Sequence, residues 1–148
     1  MGGDMTAPGA GPHGGLIAAG GLFGLLGVAA GAFGAHALEG AVTPERIAVF
    51  ETGARYHLIH AAAIVIAGAL AAWLPLARIA GWLFSVGIVV FAGSLYLLVL
   101  LDAGWLGAIT PIGGLAFMAG WGVLAWAGLR SDRTADRPSG GTVGVPGR

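Results

Sequence analysis

The chain has 148 residues, 57% hydrophobic and only 9% charged, with a formal net charge of +0 and a mean hydropathy of +0.86. A soluble domain covers itself with roughly a quarter charged residues, so this surface is built for lipid, and a neutral chain has no electrostatic footprint for nucleic acid. The absence of Cys excludes disulfides, thiolate metal sites and cysteine nucleophiles, and the absence of Lys excludes a phosphate-cradling Walker loop.

In chain order, residues 1–15 are rich in Gly, Ala and Pro and are expected to form a disordered tail. The first apolar run, Leu16 to Leu38, carries no formal charge. As a helix it is roughly 35 Å long, enough to cross a bilayer. Ala35-His36-Ala37 imitates a signal-peptide cleavage site. However, the run lacks a basic leader and exceeds the usual length of such a segment, so it is expected to be retained.

Residues 39–55 form the most polar stretch. Thr43-Pro44-Glu45 reads as a helix start, with Thr as N-cap, Pro at the first helical position and Glu against the positive end of the dipole. That helix is expected to enter the membrane near Tyr56, to span about residues 56–74 and to stop at Pro75, with Gly53 as a candidate bend. A third span, about 79–101, lies uncharged between Arg78 and Asp102. Ala103 to Ile109 is a short connector carrying Trp105, an interfacial anchor. Thr110-Pro111 repeats the cap-then-proline start and opens a fourth span, about 111–129, before a second disordered tail at 130–148.

Only helices and closed barrels cross lipid without stranding backbone hydrogen bonds, and these runs show no period of two. The expected fold is therefore all-α: an integral membrane bundle of four transmembrane helices with short loops. Arg78, Arg130, Arg133, Arg137 and Arg148 would share one side, opposite Arg46 and Arg55. The excess of Arg on the first side puts both termini in the cytoplasm.

Gly20, Gly24, Gly27, Gly31 and Gly34 recur at intervals of four and three along the first span, and Gly113, Ala116, Gly120 and Ala127 do so more loosely in the fourth. Such stripes let backbones approach closely. They are expected to pack either within the chain or against a homo- or hetero-oligomeric partner. The other expected partner is the lipid bilayer, and no nucleic acid is expected.

Polar residues gather in the half of the membrane away from the cytoplasm, and His36, Tyr56, His60, Ser94, Tyr96 and Thr110 form the candidate polar site. His57 and His60 share a helix face and, with His36, would offer three imidazoles to zinc or copper. The simpler reading has each His bonded to a carbonyl or capping a helix, so neither a metal nor a cofactor is expected. Glu51 and Arg55, four apart, should pair on the helix surface. Ser94 should bond to its own helix or a neighbour, because no base for a nucleophile is apparent. No charge sits mid-span, which argues against a proton relay or an ion-coupled transporter.

Several of these segments together resemble a known family. They are Gly31-Ala32-Phe33-Gly34-Ala35-His36, Thr52-Gly53-Ala54-Arg55-Tyr56-His57 with His60, Phe91-Ala92-Gly93-Ser94-Leu95-Tyr96, and Ile109-Thr110-Pro111-Ile112-Gly113-Gly114 with Gly120-Trp121. In this order they resemble the small membrane proteins of domain of unknown function 423, related to the eukaryotic transmembrane protein 256 family. The resemblance covers about Leu16 to Leu129. It implies four spans and a bacterial inner-membrane address. Its motif positions here are Gly34, His36, Tyr56, His60, Ser94, Tyr96, Thr110, Pro111, Gly113, Gly114 and Trp121. Arg55 and His57 fall where the family varies, which weighs against the three-histidine site, and Ala92 departs from a frequent serine. The expected function is a non-enzymatic accessory or structural membrane component. The alternative is a small-molecule or metal-binding, permease-like protein with a polar site in the outer membrane half.

Overall fold

A computed structural model describes residues 12–135, so most of both expected tails lies outside the described residues. The described chain is all-helical, with four helical stretches long and apolar enough to cross a membrane. α1 is Gly14–His36 and α2 is Pro44–Leu70. The third stretch is α3, Ala77–Gly87, continued through a π turn at Ile88–Ala92 into α4, Gly93–Leu100. A short 3-10 helix, Gly104–Ala108, leads into α5, Thr110–Ala135.

The helix ends differ from expectation in instructive ways. α1 starts at Gly14 because the His13 imidazole accepts the Leu16 N–H (3.3 Å) and the His13 N–H donates to Gly68 O (2.9 Å), fixing this end against the end of α2. Thr43 has the extended backbone of an N-cap and Pro44 follows at the first position, but the Thr43 side chain makes no cap hydrogen bond. Thr110 is itself helical rather than a cap, which frees its hydroxyl for another use. α2 runs as one continuous helix through Gly53, the candidate bend. A Cβ there would stand 3.0 Å from the Tyr96 ring, so the residue serves close packing. α5 continues to Ala135, past the expected end of its span.

α1 lies antiparallel to α2, as successive glycine contacts show: Gly20 meets Val65 and Ala61, Gly27 meets Leu58, and Gly34 meets Phe50. At Gly20 a Cβ would sit 2.8 Å from the Val65 nitrogen, a backbone-to-backbone approach that only glycine permits. Gly24 and Gly31 have nothing within 4 Å of a Cβ and point away from α2. The expected single stripe is thus divided. Gly20, Gly27 and Gly34 are buried inside the chain, whereas Gly24 and Gly31 are half-buried with open space beside the Cβ position.

α2 is the central helix, packed against α1 on one side and against the third span on the other. The main core gathers Leu16, Ile64, Phe84, Ile88 and Phe117, with Leu16, Ile64 and Phe84 fully buried. A satellite cluster of Leu38, Phe50 and Val99 closes the end near the α1–α2 loop. Leu25, Val28, Ile66, Val89, Leu115 and Met118 are exposed large apolar side chains, as a lipid-facing surface requires. Trp73, Trp82, Trp105 and Trp126 are exposed as well, in keeping with interfacial anchoring.

At the end of α4, Asp102 adopts a left-handed backbone (φ 54) and the Ala103 N–H closes the helix on Leu98 O at 3.2 Å. Arg46 of α2 donates to Leu98 O (3.0 Å) and pairs with the Asp102 carboxylate (2.6 Å), capping α4 from outside. The ion pair expected between Glu51 and Arg55 is not formed. Both side chains are exposed, where so weak a helix-surface pair has little to hold it, and the ion pair among the described residues is Arg46–Asp102.

Candidate functional site

The polar side chains of α2, α4 and α5 meet around the π turn. This turn widens the third span, and the Gly93 N–H reaches back to Ile88 O as well as Val90 O. α5 can lie directly against it because residue 113 is glycine: a Cβ at Gly113 would be 2.4 Å from the Phe91 nitrogen.

At one level of this seam Ser94 Oγ donates to Phe91 O (2.9 Å) and lies 2.8 Å from Thr110 Oγ1. A hydroxyl carries one proton. With that of Ser94 given to Phe91 O, the Thr110 hydroxyl donates to Ser94, and Leu106 O at 3.4 Å is its weaker alternative. The bond joins the third span to α5.

Deeper, His60 is held on both nitrogens. Nδ1 lies 2.8 Å from Tyr56 O, and Nε2 lies 3.2 Å from the Trp121 indole nitrogen. A carbonyl can only accept and an indole N–H can only donate, so the imidazole is neutral, protonated on Nδ1 and accepting on Nε2. Its ring stacks on Phe117 with centroids 3.5 Å apart, and Phe84 (5.5 Å) and Tyr56 (6.0 Å) complete an aromatic surround. A groove of about 570 Å³ opens between α2 and α5, and His60 lines it together with Tyr56, Phe91, Phe117, Met118 and Trp121.

On the opposite side of the π turn, His57 Nδ1 lies 3.2 Å from the Tyr96 hydroxyl. Tyr96 also packs on Phe50, with ring centroids 4.6 Å apart.

Of the expected site residues, the structure brings Ser94 to Thr110 and sets Tyr56 against His60, whereas Tyr96 belongs to the His57 side. His36 does not join them. It ends α1 exposed, and neighbouring Gly34 meets Phe50, roughly 15 Å along α2 from His60 at about 1.5 Å per residue. Among the described residues no group of three or more His, Asp or Glu is gathered as a metal site, so the three-imidazole arrangement does not form. Sequence reasoning gave no role to Trp121, Phe91 or Phe117. Trp121 stood in the resembling motif, but nothing in its spacing from His60 announces a hydrogen bond across 61 positions.

Four apolar helical stretches with most buried polar side chains satisfied from within the chain define a small multi-pass helical membrane protein. A family described as "protein of unknown function (DUF423)" matches residues 30–114. The UPF0382 membrane protein YwdK of Bacillus subtilis is 41% identical over 118 residues, covering 78% of this chain and 96% of that protein. A UPF0382 membrane protein of Staphylococcus haemolyticus is 43% identical over 110 residues, covering 74% of this chain and 90% of the relative. The chain belongs to this DUF423 family of membrane proteins. No solved structure matches it.

Proposed function

We propose that this is a non-enzymatic protein of the cell membrane, with both termini in the cytoplasm, that acts by associating with other membrane helices. The observation that carries this is where the polar hydrogen bonds go. Ser85 donates to Gly81 O, Ser94 donates to Phe91 O, Thr110 donates to Ser94, and His60 is engaged on both nitrogens. Among the described residues, no His, Asp or Glu is a hydrogen-bond partner of Ser94 or Thr110, so neither hydroxyl has a base to make it a nucleophile.

Orientation is supported by charge. Arg78 and Arg130 flank spans on one side, and Arg133, Arg137 and Arg148 follow Arg130 in the sequence, against Arg46 and Arg55 on the other. The native chain has no Cys, so single-cysteine labelling tests it cleanly. In intact cells an impermeant maleimide should label Ala41→Cys in the α1–α2 loop and leave Ser131→Cys unlabelled. The reverse pattern would invert the topology.

Association is supported by α1, the least enclosed of the spans, where a Cβ at half-buried Gly24 or Gly31 would meet nothing within 4 Å. Gly24→Leu with Gly31→Leu should abolish crosslinked oligomers in native membranes without lowering the amount of monomer. Gly27→Leu should lower the amount of protein itself, since a Cβ there already stands 2.8 Å from Leu58. An unchanged oligomer pattern in the double variant would overturn the proposal. The permease-like alternative has less support, because His36 is remote from the seam.

A further inference from the structure

Arg78 and Arg130 flank spans at one end of the bundle. Among the described residues the ion pair is Arg46–Asp102, at the opposite end, and Arg130 has no carboxylate partner. Arg130 is exposed, and its guanidinium lies over the Trp126 ring, 4.8 Å from the centroid. An aromatic face holds the cation at the level of an interfacial tryptophan but supplies no negative charge.

Arg130 also lines a pocket of about 220 Å³ between the last turns of α5 and the turn that joins α2 to α3. Trp73, Leu74, Pro75, Leu76 and Ala127 line it too. The cation calls for an anion, and a guanidinium matches phosphate oxygens with two parallel N–H donors. The apolar wall calls for an anion that is continuous with hydrocarbon, which a free phosphate is not. No Asp or Glu lines the pocket, so an ammonium headgroup would meet Arg130 with nothing to balance it. The volume is below that of a pocket enclosing a whole small molecule, typically about 300–1,000 Å³, and suits a phosphate and glycerol whose chains stay in the bilayer. We propose that this pocket binds an anionic glycerophospholipid of the phosphatidylglycerol type, with Arg130 donating to its phosphodiester. The charge match holds in either leaflet, so the site rests on neither the topology nor the helix association proposed above.

The test is native mass spectrometry of the full-length protein in detergent. It is titrated with dimyristoyl phosphatidylglycerol and, separately, with dimyristoyl phosphatidylethanolamine, which has the same chains. The native chain should bind phosphatidylglycerol saturably and more tightly than phosphatidylethanolamine. One Arg beside an anionic lipid is worth about a fivefold change in affinity, so Arg130→Gln should weaken phosphatidylglycerol ~5-fold or more. Arg78→Gln removes the same charge at the same end from a residue that does not line the pocket, and should leave the affinity unchanged. Equal affinity for the two lipids, equal losses in the two variants, or unchanged binding in Arg130→Gln would each overturn the proposal. So would displacement of the lipid by excess inorganic phosphate, which would mark a site for a free anion. The comparison of the two lipids uses the native chain and so does not depend on either variant folding.

Discussion

Adding one methyl group at Gly113 or at Gly114 should have opposite effects, although the two residues are neighbours on α5. At Gly113 a Cβ would stand 2.4 Å from the Phe91 nitrogen and 2.7 and 2.8 Å from its Cβ and Cα. At Gly114 the nearest atoms are Phe91 ring carbons at 3.9 Å, an ordinary contact. Carbon contacts settle at about 3.5–4.0 Å, so Gly113→Ala forces α5 about 1 Å away from a backbone that cannot rotate aside. Overpacking of this kind costs about 1–3 kcal/mol, offset by the ~1 kcal/mol gain in helix propensity from Gly to Ala. The net expectation is a loss of up to about 2 kcal/mol for Gly113→Ala, against no loss or a gain of up to ~1 kcal/mol for Gly114→Ala. The assay is thermal unfolding of both variants and the native chain in the same detergent, followed by loss of the monodisperse peak after heating. Equal midpoints for the two variants would refute the close apposition of α5 and the π turn.

Substitutions at three further positions probe the seam and the α4 cap. Ser94→Ala removes the hydroxyl link to Thr110, and an interhelical bond of this type is worth ~0.6 kcal/mol on average in a membrane, so the unfolding midpoint should fall slightly. Trp121→Phe keeps an aromatic ring against Phe84, 5.0 Å away in the native pair, but leaves His60 Nε2 without its donor. A loss of about 1 kcal/mol should register in the same unfolding assay. Asp102→Ala should cost about 1–2 kcal/mol because Ala tolerates the left-handed backbone poorly, and it also loses the Arg46 partner. Asp102→Asn keeps that tolerance, so its measured stability should fall between the Ala variant and the native chain.

The spans were legible because lipid solvation acts on long stretches, and composition over some twenty residues reports it directly. The glycine stripe was legible only in part. Seven residues return a helix to within about 20° of its starting direction, so Gly20, Gly27 and Gly34 share a line, whereas steps of four drift about 40° to one side. Sequence cannot say which edge of such a stripe a neighbour covers. Here α2 covers the first set and leaves open space beside Gly24 and Gly31. The π turn was not legible, since it is matched by the absence of a side chain at Gly113, more than twenty positions away in the chain. The Arg46–Asp102 pair was missed for the same reason: a local rule favours partners four residues apart, and this pair joins α2 to the turn that follows α4. His36 was included by depth and by its place in the resembling motif. Depth ranks residues along the membrane normal but says nothing of which side of the bundle they occupy.

The most direct test of the inward-turned polar seam is the 15N spectrum of His60 in lipid bilayers. A single neutral ring is expected, protonated at Nδ1 toward the Tyr56 carbonyl and with an unprotonated Nε2 coupled to the Trp121 indole. A ring protonated at Nε2, or one exchanging freely with water, would contradict it, because His60 would then face water in the groove between α2 and α5 rather than its two partners within the chain.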